Sequence, residues 1–157
     1  MMLGSNLALQ NECFCTESFC AHNKFVKQRP YHNLNRNFLS TYEKGISAER
    51  VASKVLASEG YEILGQRIRT GYGEIDILAK KGNDVVAVEV KQRKTLVGAK
   101  CCITTQQQRR ISNALLYIAS ERNKSLENYR IDVLCLDAVG RFEHIENAFS
   151  IDELVAC

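Results

Sequence analysis

The pattern of hydrophobic and polar positions changes at about residue 41. Residues 1–40 show neither a two-residue nor a 3.6-residue hydrophobic period, and they contain the only proline of the chain. From Thr41 onward the pattern is regular and switches between the two periods. We therefore expect a poorly ordered extension over 1–40 and a folded domain over 41–157.

Two segments have the helical period. The first helix is predicted over 41–59, and Gly60 is placed to end it. The second is predicted over 104–121, where Thr104 followed by Gln107 indicates a capping box. The apolar stripes consist of Ala48, Ala52, Val55 and Leu56 in the first helix, and of Ile111, Ala114, Leu115 and Ile118 in the second.

Four segments are typical of strands, namely 61–69, 73–80, 84–93 and 129–137. TGYG separates the first two, KGND has the composition of a hairpin turn, and TLVGAK is predicted to be a loop. A short final segment follows the fourth strand. The third strand, the second helix and the fourth strand form a βαβ unit, so these two strands should be parallel. The expected fold is α/β, with a mixed sheet flanked by helices.

Positive charge is concentrated in one stretch, although the net charge of +3 is only mildly basic. The segment 91–110 has six basic residues and no acidic one. A nucleic-acid-binding surface needs such a stretch, but a solvated basic loop has the same composition. The candidate contacts to nucleic acid are Arg93, Lys94, Lys100, Gln107, Arg109 and Arg110.

Membrane and secreted proteins are disfavoured by the sequence. No apolar run approaches the length of a membrane span, and the N-terminus lacks the regions of a secretion signal. Seven cysteines, an odd number, fit reduced thiols better than a disulfide framework. We therefore expect a cytoplasmic protein without membrane contact.

Charged residues interrupt two of the apolar strands. Asp76 lies in the second strand, and Glu89 and Lys91 share one face of the third, opposite a face of valines. Charges in a buried strand are costly unless they are paired or bound to a ligand. Two acids and a lysine on adjacent strands therefore predict a site for Mg²⁺ or Mn²⁺ and a phosphate. Lys91 would orient or activate the attacking water.

The roles of two further residues stay open. Glu49 lies on the apolar stripe of the first helix, where it is either a third metal ligand or an edge residue whose carboxylate reaches water. Gln107 either contacts a scissile phosphate or only caps its helix. Asp132 is interpreted as structural, and His144 lacks a partner that would make it a metal ligand.

Three blocks of the sequence resemble a known family. AERVASKVLASEGYEIL, GEIDILAKKGNDVVAVEVKQR and ITTQQQRRISNALLYIA are similar, in order and spacing, to the YraN-like family of uncharacterised proteins. That family is assigned to the PD-(D/E)XK, or restriction-endonuclease-like, superfamily and is similar to archaeal Holliday-junction resolvases. The resemblance covers about residues 43–150 and implies an αβββαβ core.

The same resemblance implies a set of site residues. By that likeness Asp76 and Glu89 match the metal-binding acids, Lys91 the lysine, and Glu49 the acid on the helix. Ile75 departs from the pattern, since proline is usual there in these relatives. Relatives of the resolvase type work as homodimers on DNA.

Three functional hypotheses follow. The first is a Mg²⁺-dependent endonuclease acting on DNA, with branched or damaged substrates implied by the resemblance alone. The second is a nucleic-acid-binding module with the same fold and little or no catalysis. The third is a structural protein in which Glu89 and Lys91 form only a buried ion pair. The complete set of Asp76, Glu89 and Lys91 favours the first, because a protein that only binds has no need for two acids near phosphates.

Overall fold

The computed structural model describes residues 26–30, 41–122 and 126–151. Its helices are α1 (Thr41–Ser58), α2 (Leu96–Lys100) and α3 (Thr105–Glu121), and a 3₁₀ turn spans Leu126–Asn128. Its strands are β1 (Val26–Pro30), β2 (Glu62–Arg69), β3 (Glu74–Lys81), β4 (Asp84–Gln92), β5 (Tyr129–Leu136) and β6 (Arg141–Ile145). The strands form one six-stranded mixed sheet in the order β1-β6-β5-β4-β3-β2.

Strand β4 lies inside the sheet and pairs with a neighbour on each side. Its pairing with β3 is antiparallel, and its pairing with β5 is parallel. The predicted βαβ unit of β4, α3 and β5 is therefore confirmed, as is the meander of β2, β3 and β4. The α/β fold with a restriction-endonuclease-like αβββαβ core and flanking helices is confirmed as well.

The ends of the predicted elements follow the local sequence. Gly60, which follows α1, has a φ of 85°, a left-handed conformation that a glycine adopts without steric cost. At the start of α3, Gln107 donates its N–H to Oγ1 of Thr104 at 3.2 Å. The side chain of Gln107 accepts the N–H of Thr104 at 3.1 Å. The predicted capping box is thus confirmed.

Two elements were not expected from the sequence. Helix α2 lies within the predicted loop, where Oγ1 of Thr95 accepts a hydrogen bond from the N–H of Gly98 at 3.1 Å. Strand β1 lies within the segment 1–40 and pairs antiparallel with β6. The other residues of 1–40 lie outside the described residues. A strand at the edge of a sheet is selected by a partner distant in sequence, so its own periodicity is a weak signal.

One described cysteine differs from the expected reduced state. Cys102 and Cys135 are free thiols, whereas Cys101 is disulfide-bonded. The expectation of reduced thiols throughout is therefore wrong at Cys101.

Apolar side chains cover both faces of the sheet. Val55 and Leu56 of α1 pack with Val88 on one face, and Leu115 of α3 packs with Ala87 on the other. The predicted stripes of both helices are buried. Burying each large apolar side chain contributes about 1.5–3 kcal/mol, and this supports a central strand that also contains charges. Among the described residues, no helix is both long and apolar enough to cross a membrane.

A buried polar network joins the end of α1 to β5 and β6. Asp132 accepts hydrogen bonds from Nε of Arg130 at 3.1 Å and from the N–H of Asn147 at 2.9 Å. The two ring nitrogens of His144 lie 3.0 Å from Asp132 and 3.1 Å from Glu59. Burial lowers the pKa of His144, but the hydrogen bonds and charges of these two acids outweigh it and raise the pKa above 6.5. His144 thus has two carboxylate partners that the sequence did not indicate.

The substitution Asp132→Ala should lower the free energy of unfolding by about 3–5 kcal/mol, because Arg130 and His144 lose their shared buried acceptor. Asp84→Ala is the matched control. Asp84 also pairs with Arg130, at 2.8 Å, but its side chain is 42% exposed. Its loss should cost about 1 kcal/mol or less. Urea unfolding measures both, and equal costs would contradict a structural role for Asp132.

Candidate metal centre and nucleic-acid interface

Strands β3 and β4 separate at the predicted carboxylates. Their backbone pairing ends at Ile77 and Val88, whereas β4 remains paired with β5 as far as Gln92. Beyond that point the N–H of Val90 donates to Oδ2 of Asp76 at 2.8 Å. A side-chain oxygen therefore serves as the acceptor between the two strands, and the carboxylate of Asp76 is positioned where they diverge.

The carboxyl groups of Asp76 and Glu89 lie close enough to influence each other's ionisation. Burial and the charge of Asp76 raise the pKa of Glu89 to about 7, although Lys91 opposes the shift. Burial also raises the pKa of Asp76, against the lowering effects of the Val90 N–H and Lys91. Two buried carboxyl groups side by side do not ionise independently, so the charge on one disfavours ionisation of the other.

Lys91 faces this carboxylate pair, as the strand alternation predicted. Its Nζ forms an ion pair with Oε1 of Glu89, and its side chain is only 12% exposed. Val88 and Val90 pack on the opposite face of β4, against the cluster that includes α1. One lysine thus faces two acids, and the excess of acid is what a divalent cation would balance.

Glu49 lies close to this site but is paired with an arginine. Its side chain is 11% exposed, and its Oε1 lies 3.6 Å from a terminal nitrogen of Arg67. Burial and the charge of Asp76 raise the pKa of Glu49, while Arg67 lowers it. The carboxylate is thus largely buried rather than solvated. Its role as a metal ligand stays a prediction.

Arg67 was not identified from the sequence. The register of β2 and β3 places it opposite Asp76, and it pairs with Glu74 at 3.2 Å as well as with Glu49. Its φ of 52° lies in the left-handed region, which is strained for a residue other than glycine. Periodicity and motifs do not mark such a residue, because its position depends on the conformation of β2.

Two of the candidate nucleic-acid contacts have structural partners. Nζ of Lys100 lies 3.1 Å from Oε1 of Glu143, a buried carboxylate of β6. Gln107 caps α3 through Thr104, so the capping alternative left open by the sequence is observed. Each of these side chains therefore has a structural role of its own.

The other four candidate nucleic-acid contacts are exposed at the end of the sheet where β4 ends. Helix α3 leads from the end of β4 back to the start of the parallel strand β5, so α3 begins at the edge where β4 ends. The loop after β4 and the first turns of α3 therefore lie on the side of the candidate metal centre. The four side chains are Arg93, Lys94, Arg109 and Arg110.

A metal ion would find two converging carboxylates here. Within the described ranges, no group of three or more Asp, Glu, His or Cys side chains is placed to hold a metal ion. Mg²⁺ is commonly held by one or two protein carboxylates and completes its coordination with water and substrate phosphates. The Asp76–Glu89 pair fits that ligand set, and metal binding would favour the ionised form of both carboxyl groups.

Comparison with known proteins places this site within a family. The model of the uncharacterised protein family UPF0102 matches residues 48–136. The chain belongs to the UPF0102 family. The matched segment of this UPF0102 protein runs from α1 to the end of β5, and it therefore contains Glu49, Arg67, Asp76, Glu89 and Lys91.

Several UPF0102 proteins are similar to it over most of their length. A relative from Granulibacter bethesdensis is 39% identical over 110 residues, covering 69% of this chain and 70% of the relative. One from Nitrobacter winogradskyi is 36% identical over 112 residues, covering 71% and 95%. One from Erythrobacter litoralis is 42% identical over 106 residues, covering 67% and 90%.

One solved structure is weakly similar to the UPF0102 protein. It is the structure of Pyrococcus furiosus SfsA in complex with Ca²⁺, with a TM-score of 0.32 and 16% identity, covering 76% of this chain and 74% of that one. The fold of the UPF0102 protein rests on its own topology rather than on that likeness.

The metal-free UPF0102 protein should lose stability as the pH rises from about 5 to about 8. Glu89 has a pKa of about 7 in the folded protein, against an ordinary value of 4.5, so in this window the native state binds more protons than the unfolded chain. The free energy of unfolding should therefore fall by up to about 3 kcal/mol. Thermal unfolding in EDTA across this range measures the effect.

Glu89→Gln isolates the contribution of this residue. The raised pKa of His144 also makes stability fall as the pH rises, but His144 is present in both proteins. The variant should therefore show a flatter dependence of stability on pH. An identical dependence in both proteins would mean that Glu89 does not titrate with the raised pKa.

Proposed function

We propose that this UPF0102 protein is a Mg²⁺-dependent endonuclease that hydrolyses phosphodiester bonds in DNA. The observation that supports this best is the buried Asp76–Glu89 pair beside Lys91 where β3 leaves β4. A lysine that only neutralised a buried glutamate would need no second acid next to it. Two buried acids with raised pKa values beside a cation are typical of a functional site.

The three side chains have separate roles in this proposal. Asp76 and Glu89 hold the ion. A bound Mg²⁺ would neutralise charge on the scissile phosphate and make an attacking water more acidic. Lys91 orients that water and stabilises the negative charge that develops at the phosphate.

Glu49 completes the proposed ligand set as a third acid. Its carboxylate would then exchange Arg67, its partner at 3.6 Å, for the ion. Arg67 would keep its pairing with Glu74 at 3.2 Å and would have a donor available for a bound phosphate. An arginine that changes from an acid to a phosphate would link substrate binding to metal binding.

The proposed substrate contacts are the exposed basic residues at the same edge of the sheet. Arg93 and Lys94 follow β4, and Arg109 and Arg110 lie in the second turn of α3. Their charges would neutralise phosphates on both sides of the cut. A homodimer and a preference for branched or damaged DNA come from the family resemblance, and a cytoplasmic location comes from the cysteine content of the sequence. All three belong to the proposal. Sedimentation of the purified protein tests the homodimer.

A second candidate function is a nucleic-acid-binding module with little or no catalysis. Its support is the ion pair of Glu49 with Arg67, together with the presence of only two converging carboxylates among the described residues. Cleavage assays with the variants below separate the two functions.

Asp76→Asn should abolish binding of Mn²⁺. The amide oxygen can still accept the N–H of Val90, so the variant removes the charge while it preserves the hydrogen bond between the strands. Asp84→Asn, at the opposite end of β4, is the control with the same change of charge. Calorimetric titration measures both. Unchanged Mn²⁺ affinity in Asp76→Asn would exclude this carboxylate as a ligand.

Lys91→Ala should reduce single-turnover cleavage of DNA by about a hundredfold or more, because it removes a group that acts on the developing charge. Binding should change little, since Lys91 is largely buried and the exposed basic residues remain. Lys80→Ala, which removes an exposed lysine of β3, is the control. If Lys91→Ala instead melts earlier and retains activity in proportion to its folded fraction, Lys91 is only the structural partner of Glu89.

A further inference from the structure

Two tyrosines form an exposed aromatic pair where the turn between β2 and β3 meets α3. Tyr72 is 58% exposed and Tyr117 is 42% exposed. Their ring centroids lie 5.8 Å apart, and the ring planes are inclined at 46°. Leaving two large aromatic side chains in water forgoes the free energy that their burial would provide. An exposed patch of this kind is typical of a binding surface.

The turn that holds Tyr72 is closed by its own hydrogen bonds. The hydroxyl oxygen of Thr70 accepts the N–H groups of Tyr72 and Gly73, each at 3.1 Å. The Thr70 hydroxyl donates to the carbonyl of Gly73 at 2.9 Å, and the Thr70 N–H donates to the same oxygen at 2.8 Å. Tyr72 is therefore held outward by a closed turn rather than by an open loop.

The turn is also fixed against α3. A Cβ on Gly73 would lie 3.1 Å from the carbonyl oxygen of Arg110, which is closer than most Cβ contacts, so glycine favours this close approach of the two backbones. The approach brings Tyr72 to the side chain of Tyr117. The surface is therefore formed in advance of any partner, which lowers the entropic cost of binding.

The charge around the aromatic pair is positive. Arg110 precedes Tyr117 by two turns of α3, so both side chains lie on one face of the helix, about 10 Å apart along its axis. Arg109 is exposed beside it. Arg69, before the turn, is also exposed and pairs with Glu74. An anionic partner with flat aromatic groups matches this combination.

We infer that Tyr72 and Tyr117 form a stacking surface for unpaired nucleobases, and that Arg109 and Arg110 contact the phosphates of the same strand. Every base has an aromatic face, so stacking on tyrosine together with ionic contacts binds single strands with little dependence on sequence. In a duplex these faces are covered by the adjacent base pairs. Only unpaired nucleotides can therefore use the surface.

Tyr72 of the stacking surface lies in the turn that precedes β3, the strand of Asp76. Asp76 follows Tyr72 by four residues, so their Cα atoms are at most about 14 Å apart. This step rests on the proposed nuclease function. A strand whose bases stack on the tyrosines would direct one of its phosphates towards Asp76 and Glu89. We therefore expect the substrate to be DNA that has unpaired nucleotides next to the cleaved bond.

The test uses binding to the full chain in EDTA, where cleavage cannot occur. Because the chain has no tryptophan, Tyr72→Trp introduces a single fluorescent reporter that can still stack. A single-stranded oligothymidylate should quench it, and a blunt duplex should quench it much less. The combined variant Tyr72→Ala and Tyr117→Ala should bind the oligothymidylate about tenfold or more weakly. Its affinity for the duplex should change less than twofold.

Two control variants separate stacking from other effects. Tyr72→Phe keeps the ring and should bind like the wild type. Leu126→Ala removes an apolar side chain of similar exposure, 41%, that precedes β5 at the opposite edge of the sheet, and it should have no effect. The double alanine variant should keep the salt dependence of binding, whereas neutralising Arg109 and Arg110 together should flatten it. Circular dichroism checks that every variant is folded.

Repeating the titration with an oligouridylate shows whether the surface binds unpaired bases of RNA as well as those of DNA. Quenching by both strands, or by the DNA strand alone, supports a base-stacking surface. Absence of quenching by either strand, or equal quenching by the duplex, overturns it. Quenching that depends on protein concentration without any oligonucleotide would assign the tyrosines to contact between two copies of the chain, and would also overturn it.

The stacking surface and the nuclease function can fail separately. If wild-type protein cleaves no DNA with Mg²⁺ or Mn²⁺ while the tyrosine variants lose single-strand binding, the surface stands and the nuclease function is wrong. If the wild type cleaves DNA and the double alanine variant binds and cleaves single-stranded DNA like the wild type, the stacking surface is wrong.

Discussion

The hydrogen bond from the Val90 N–H to the carboxylate of Asp76 determines the shape of the site. Without this acceptor a backbone N–H beside the gap between the strands would lack a partner, at a cost of about 1–3 kcal/mol. With it, β3 can leave β4 while β4 stays paired with β5. The divergence provides room next to Glu89 and Lys91 without interrupting the sheet. The same carboxylate therefore ends one backbone pairing and begins the candidate metal centre.

The described residues include two buried charge clusters, and they differ in how far their negative charges are compensated. Asp132 is fully buried, and it is balanced by Arg130, His144 and a backbone N–H. Among the described residues, Asp76 and Glu89 face Lys91 and one backbone N–H, and burial still raises the pKa of both acids. The first arrangement stabilises the fold. The second costs stability, and the apolar packing of β4 against both helix layers offsets that cost. A buried pair of acids whose charge is only partly compensated, such as Asp76 and Glu89, is a better indication of a ligand-binding site than a compensated cluster.

The topology concentrates different chemical groups at one edge of the sheet. Strands β4 and β5 end there, β3 begins there, and α3 starts there because it returns antiparallel to β4. The carboxylate pair, the exposed arginines and the turn with Tyr72 are separated in sequence but lie towards this end of the sheet. The contact of Gly73 with the backbone of Arg110 fixes the spacing between the turn and α3. A nucleic-acid strand lying along this end of the sheet would contact phosphate-binding, base-binding and metal-binding groups at the same time.

Much of the core fold was determined by local sequence, because periodicity, caps and turn residues act over a few neighbours. The stripes of α1 and α3, the cap at Thr104 and the alternation of Glu89 and Lys91 with the valines of β4 are of this kind. Strand β1, the pairing of Glu49 with Arg67 and the two acid partners of His144 were decided only by the tertiary structure. Each depends on groups far apart in the chain and on a backbone conformation, such as the left-handed φ of Arg67, that no local pattern encodes. The sequence by itself thus determined which residues carry charge in the buried strands. The tertiary structure decided which of those charges are balanced, because balance depends on the distance between side chains.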